Sequence, residues 1–270
     1  MIEIQHISKA FGDKKIIDNV SAQFKPGMCN LIIGASGSGK TVLIKCIVDL
    51  IQTDQGKVLF DNADFTTLNK AQKKTLRNSI GMLFQGNALF DSMTVQENVK
   101  FPLDMFSDLD ETEKLVKVNQ ILARVQLTGV NEKFPAEISG GMKKRVGLAR
   151  ALVLEPKYLF CDEPNSGLDP QTSLVIDHLI QDLTKEFNIT TLVVTHDMNS
   201  VMEIGEYIIY LHKGKKEWEG TRKEIIFSKN QRLNDFIFAS EFLRDAKDMR
   251  MLEETGKIPN DRDMDQMTRP

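Results

Sequence analysis

The stretch MCNLIIGASGSGKTVLIKCIVDLI, residues 28–51, decides the fold. Its opening, MCNLII, is an apolar run of strand length that reads as buried on both faces. It runs into a glycine-rich turn, and the turn into TVLIKCIVDLI, apolar on nearly every face, the pattern of a helix packed under a sheet. Between the two, Gly34, Ala35, Ser36, Gly37, Ser38, Gly39, Lys40 and Thr41 satisfy the phosphate-cradling pattern G-x-x-x-x-G-K-[ST] in full, in the strand, loop and helix context it requires. The glycines let backbone N–H groups converge on phosphate oxygens, and the helix N-terminus adds its positive dipole. Lys40 reaches the β and γ phosphates of a nucleotide, and the Thr41 hydroxyl can ligate Mg²⁺.

Outward from this stretch, β-like runs alternate with turns up to about Phe65: MIEIQHI, NVSAQF and KVLF. A strand SIGMLFQ leads into a segment of different character, from Gly86 to about Pro135, where Leu115, Val118, Leu122 and Val125 recur at helical spacing between charges. We read a mainly helical insert, reaching about residue 150 when the next helix is counted with it. The α/β pattern then resumes with the strand YLFCDEP, a polar helix around LVIDHLIQDLTKEF, the strand TTLVVTHD, and a hairpin in YIIYLHKGKKEWEG turning at Lys-Gly. Strands separated by helices imply a largely parallel sheet. Residues 226–270 form an extension: an amphipathic stretch with Leu233, Phe236, Ile237, Phe242 and Leu243, then a loose polar end. Two seatings suit its apolar set, on its own domain or on a second copy of the chain.

Composition narrows the function. The 270 residues, 30.6 kDa, 41% hydrophobic and 27% charged, are ordinary globular usage, and 35 basic against 38 acidic residues give a net charge of −3, which argues against a nucleic-acid partner. Cys29, Cys46 and Cys161 are widely spaced in apolar runs, as reduced core thiols are, rather than paired or set for zinc. The opening MIEIQHISKAF lacks the features of a secretory leader and no apolar run approaches ~20 residues, so the expected compartment is the cytoplasm.

Two further segments carry chemistry. LFCDEP ends an apolar strand with two carboxylates: Asp162 suits metal binding through water, and Glu163 suits the general base that polarises an attacking water. The segment from Ile138 to Leu152 opens with Ser139 as a natural N-cap, followed by Gly140 and Gly141, a start that offers a hydroxyl and bare N–H groups to an anion.

In order and spacing these motifs resemble the ATPase subunits of ABC transporters over roughly residues 1–225. The resemblance implies an α/β fold: a P-loop NTPase core with an N-terminal antiparallel β subdomain and an inserted α-helical subdomain, binding ATP and Mg²⁺. It also implies roles at matching positions. Phe11 would stack on adenine, and Gln85 in MLFQ would sense the γ-phosphate and metal. Ser139, Gly140, Gly141 and Met142 form the family signature, Asp169 in SGLDP sits in the dimer-contact loop, and His196 in VVTHD is the switch histidine. Two copies would pair head to tail, so that Ser139, Gly140 and Gly141 of one cover the γ-phosphate held by Lys40 of the other.

Met142 in the signature, the KKRVGLARAL that follows, and the insert's opening, GNALFDSMTVQENVKFPL, resemble the ATPases of MCE-type systems, the Mla phospholipid transporters and their relatives. That subtype implies transmembrane permease subunits, MCE-domain and STAS-like accessory proteins as partners, and a peripheral place on the cytoplasmic face of the inner membrane. The alternatives are the ATPase of an amino-acid or other small-solute importer, and a soluble ABC-type ATPase acting on ribosomes or DNA. The last fits poorly, because such proteins carry two ATPase domains in one chain or a long coiled coil.

Overall fold

Residues 1–239 and 241–255 are described by a computed structural model. The N-terminal third alternates strand and turn as its sequence predicts. Strands β1 (Ile2–Phe11), β2 (Lys14–Phe24), β4 (Gln55–Phe60) and the two-residue β5 (Ala63–Asp64) make an antiparallel sheet in the order β2-β1-β4-β5. Between β2 and β4 the chain leaves this sheet to lay down β3 (Met28–Ile33) and α1 (Lys40–Ile47). After β5 come α2 (Lys70–Asn78) and β6 (Ile80–Leu83), then the insert's helices, α3 (Val95–Phe106), α4 (Glu111–Arg124) and α5 (Gly140–Leu152). The remaining core consists of β7 (Tyr158–Asp162), α6 (Pro170–Glu186), β8 (Thr190–Thr195), α7 (Met198–Ile204) and the hairpin β9 (Tyr207–His212) and β10 (Lys215–Gly220).

The second sheet has the order β10-β9-β3-β8-β7-β6, parallel except for the β9–β10 hairpin. Its central strands are buried on both faces because side chains alternate. Cys29, Leu31 and Ile33 of β3, Leu159 and Cys161 of β7 and Val193 of β8 enter a core shared with α3 to α7. Ile32, Phe160, Leu192 and Val194 enter the opposite core, where Leu43, Ile44 and Ile47 of α1 meet Ile2, Ile4, Val20, Phe24 and Phe60 of the antiparallel sheet. Helix α1 is thus apolar all round because it is packed between two sheets. All three cysteines are buried and unpaired, as their apolar settings suggest.

Among these helices, two carried no sequence signal that we read. Helix α2 buries none of its residues and is held by a capping box between Asn69 and Gln72, so no apolar stripe announces it. Helix α7 is a short turn capped by Asp197 directly behind His196. The segment read as a polar helix is amphipathic: α6 buries Ile176, Leu179, Ile180 and Leu183.

The C-terminal chain forms α8 (Arg222–Ile226), α9 (Gln231–Ile237) and α10 (Glu241–Thr255). Leu233, Ile237 and Phe238 lie in the same core as β9 and α6, Phe236 stacks on Tyr210 with ring centroids 5.4 Å apart, and Leu243 packs alongside. In the single chain these residues take the seat on their own domain. The Phe242 side chain and the polar end, residues 256–270, lie outside the described residues.

Candidate functional site

The carboxyl ends of the parallel strands β3, β7 and β8 open onto one edge, where ligands bind in sheets of this kind. β3 delivers the glycine loop to this edge. Gly34 takes φ 152°, and a Cβ there would come within 2.3 Å of the Leu211 carbonyl oxygen, so no larger residue fits. Gly39, at φ 103°, turns the chain directly into α1. Helices α2 to α9 each have a side-chain N-cap, but α1 has none. Its N-terminal amides stay open to an anion. The Ser38 hydroxyl, buried beside Gly34, has no partner, and the Lys40 ammonium, 6% exposed, rests on the carbonyl oxygens of Gly34 (2.7 Å) and Ala35 (3.2 Å). An uncapped helix end, an orphaned hydroxyl and a lysine folded onto its own loop fit a cradle for phosphate.

β7 brings the carboxylates to the same edge. Thr41 Oγ1 donates to Asp162 Oδ1 at 3.2 Å. Burial pushes the Asp162 carboxyl above the usual carboxylate range, against the pull of the Thr41 hydrogen bond, and the neighbouring Glu163 charge adds to the rise. Lys40 is pushed down by burial and held up by Glu163 and Asp162. Glu163 sits at the strand end with φ 50°, its N–H donating to the Val194 carbonyl at 2.9 Å. One of its carboxylate oxygens lies 2.8 Å from His196 Nδ1 and the other 3.9 Å from Lys40 Nζ. Five residues from three strand ends, Lys40, Thr41, Asp162, Glu163 and His196, therefore form one contiguous cluster. Among the described residues no group of three or more His, Cys, Asp or Glu side chains is placed to hold a metal by itself. A hydroxyl and one carboxylate are the hard-oxygen set that suits Mg²⁺ carried on substrate phosphates.

The other expected residues lie further out. Gln85 follows β6, and its carbonyl accepts from Lys144 Nζ at 2.7 Å. Phe11 ends β1, 51% exposed, with Lys9 Nζ 5.4 Å from its ring centroid. Ser139 caps α5 by accepting from the Met142 N–H (3.3 Å), and Gly141 backs onto Thr172 at the start of α6. Asp169 caps α6 by accepting from the Thr172 N–H and hydroxyl. Among the described residues no hydrogen bond or ion pair joins Ser139, Gly140, Gly141 or Asp169 to the Lys40 cluster.

Sequence reasoning missed the polar groups beneath these loops. Lys144 stands in the basic run KKR, where a lysine looks solvated, yet it is 3% exposed. The spacing Gly141, Lys144, Leu148, Leu152 places it on the buried stripe of α5, a signal the sequence carried. Also missed was the buried link from Asn165, three residues after Asp162, to Asp177 Oδ1 and Ser200 Oγ, both at 2.9 Å. A cleft of about 850 Å³ opens at the other end of the sheet, lined by Lys117, Arg124, Lys157 and Tyr158 and by none of the motif residues.

A family profile for ABC transporters matches residues 17–166. The methionine import ATP-binding protein of Clostridium tetani is 38% identical over 243 residues, 90% of this chain and 76% of that protein. The intermembrane phospholipid transport system ATP-binding protein of Haemophilus influenzae is 37% identical over 237 residues, 88% of this chain and 90% of that protein. Across similar relatives the chain spans from 66% to 90% of their lengths. Among solved structures, a dimeric ATP-binding cassette in a post-hydrolysis state with ADP and Pi superposes with a TM-score of 0.75 at 31% identity, covering 82% of this chain and 99% of that one.

Proposed function

The chain belongs to the ABC transporter family as an ATP-binding, ATP-hydrolysing subunit, and from that premise we propose that it powers phospholipid transport through an MCE-type complex of the bacterial envelope. The observation that carries this reading is the likeness to the Haemophilus phospholipid-transport ATPase, which extends over 90% of that protein. The signature with Met142 and the insert's opening agree with it. A small-solute importer is the second reading, favoured by the equally similar methionine import subunit.

In the catalytic reading, ATP enters with its phosphates on the open N-terminus of α1, Lys40 leaves the Gly34 and Ala35 carbonyls for the β and γ phosphates, and Phe11 stacks on the base. Bound Mg²⁺ would neutralise phosphate charge. Thr41, Asp162 and Gln85 are the residues that would hold it, and their hydrogen bond would open to admit it where Thr41 meets Asp162. Glu163 takes the proton of the water that attacks the γ-phosphoryl group, ADP leaves, and His196 orients the carboxylate through their 2.8 Å contact. Dimeric cassettes of this fold support pairing of two copies. Head-to-tail closure would place Ser139, Gly140 and Gly141 of a second copy over the phosphate, with Asp169 at the contact. Since no helix among the described residues is long and apolar enough to cross a membrane, the chain would be held at the cytoplasmic face by permease subunits.

Purification of the tagged chain from detergent-extracted membranes, with its proteins and lipids identified, tests the subtype. An MCE-domain protein, a multispan permease and phospholipid are expected. Recovery of a permease served by a solute-binding protein, with no MCE protein, would replace the lipid reading with the importer.

A further inference from the structure

Helix α5 carries two cations that face the protein rather than the solvent. Lys144 Nζ donates to the Gln85 carbonyl at 2.7 Å and to the Glu163 carbonyl at 3.4 Å. Six residues on, the Arg150 guanidinium donates to the carbonyls of Asn87 and Ala88, both at 2.7 Å. Between them Gly147 brings the helix so close to β6 that a Cβ would lie 2.8 Å from Leu83 Cδ1. Three carbonyls of the loop after β6, those of Gln85, Asn87 and Ala88, are thereby tied to one helix. The loop needs the support: Asn87 and Ala88 take φ of 63° and 49°, a conformation that costs a residue with a Cβ about 1 kcal/mol and persists only where the surroundings enforce it.

Arg150 serves this loop alone, but Lys144 serves two segments. Its second acceptor is the backbone of Glu163, whose own N–H is fixed on β8 through Val194 and whose carbonyl also accepts from the Ser166 N–H at 3.2 Å. Removing an ammonium from water is expensive, and among the described residues Lys144 has no carboxylate within 4 Å to offset the cost. Burial pushes its ammonium below the usual lysine range, with the Glu163 and Asp162 charges pulling the other way. A Met would fill the same volume without that cost. What only a multi-donor cation supplies is a single point to which two carbonyls from different segments are drawn.

We infer that Lys144 is a positioning residue that couples the Gln85 loop to Glu163, so that the loop's seating sets the direction of the Glu163 carboxylate. The inference rests on the reading of Glu163 as the general base. In the cluster, Glu163 reaches His196 and Lys40 from a left-handed backbone position, and a small rotation of its peptide would swing the carboxylate away from both. Val194 holds the N–H that precedes the Glu163 Cα and Lys144 holds the carbonyl that follows it, so between them they fix the backbone at the residue that carries the carboxylate. Because α5 begins at Gly140, the same helix links the Gln85 loop, the Glu163 segment and the signature glycines.

The test is steady-state ATP turnover of the full chain with its permease, together with affinity for a non-hydrolysable ATP analogue and thermal melting, in Lys144→Met, Lys144→Arg, Arg150→Met and Glu163→Gln. Lys144→Met is expected to lose about tenfold or more in kcat while KM and analogue affinity stay within about threefold. Lys144→Arg, which keeps the donors, recovers most of the rate. Arg150→Met loses distinctly less, since its bonds reach only the loop. The inference is overturned by a Lys144→Met kcat within about twofold of the parent, by an equal loss in Arg150→Met, or by a lowered melting temperature that Lys144→Arg does not repair together with turnover. Glu163→Gln separates the two failures. If it retains turnover, the base reading falls and takes this inference with it; if it is inactive while Lys144→Met is active, only the coupling falls.

Discussion

In the proposed function the glycine loop with its carboxylates and the N-terminus of α5 both meet the nucleotide phosphates, but the two are finished differently. At the first, Lys40, Thr41, Asp162, Glu163 and His196 are joined by contacts within one chain, and the helix end they surround is uncapped. At the second, Ser139 closes its own helix end by accepting from Met142, Gly140 is exposed, and Asp169 is turned inward on Thr172. One region has its side chains drawn together by direct contacts; the other has its polar groups satisfied locally, and among the described residues it shares no hydrogen bond or ion pair with the first. In the proposed head-to-tail dimer the difference has a use: one chain would complete the cradle by itself and leave its cover to a second copy.

The largest effect should come from the assembled half. Glu163→Gln keeps the shape and the cradle but cannot take a proton, so phosphate release should fall by about 10²- to 10³-fold with nucleotide affinity preserved. Turnover above about a tenth of the parent would move the base elsewhere and break the comparison at its stronger side. The presented half should respond next. At Gly140 a Cβ would meet nothing nearer than Leu168 Cδ2 at 3.6 Å, so Gly140→Val should melt like the parent and bind ATP at its own Lys40. Its turnover and ATP-dependent dimerisation should drop about tenfold or more, as the added bulk meets only the second copy; unchanged turnover would show that this edge faces no nucleotide.

The smallest effect concerns the layer beneath both halves. Burial pushes the Asp177 carboxyl up to about 6, helped by the Asp197 charge and opposed by Ser200, Asn165 and His178, and Asp177 Oδ2 and Asn165 Oδ1 are buried with no partner. A carboxyl whose folded pKa is raised favours the fold below its unfolded value near 4 and loses that contribution as pH rises through 6. At neutral pH the loss approaches about 3 kcal/mol. Asp177→Asn removes the charge, retains the acceptor for Asn165 Nδ2 and offers an N–H to Asn165 Oδ1. Its melting temperature should exceed the parent's at pH 8 by a few degrees, the gain vanishing by about pH 4.5. A gain independent of pH would mean that Asp177 is already neutral throughout.

Where the sequence was legible, local physics and tertiary structure agreed. The strand at Met28, the cradle at Gly34 and the carboxylate pair at Asp162 follow one another in chain order, and each is recognisable from residues that are adjacent. Helix α2 was not legible because Leu76 is its one large apolar residue and none of its residues is fully buried, so no repeat of apolar positions marks it. The burial of Lys144 is easily missed because a lysine in a run of basic residues looks solvated, and only its place in the 3.6-residue period marks it. The Asn165, Asp177 and Ser200 link spans 12 and 35 residues, and no local pattern announces it.

The sequence by itself determined the phosphate cradle, the order of the elements that flank it and the candidates for metal carboxylate and base, because these depend on short-range geometry: a turn only glycine can make, a strand that ends in carboxylates. The tertiary structure alone decided which carbonyls the two cations of α5 hold and where the apolar residues of α9 are seated. Those outcomes depend on the mutual packing of elements far apart in the chain, where the burial of a charge or a ring is set by what lies opposite it.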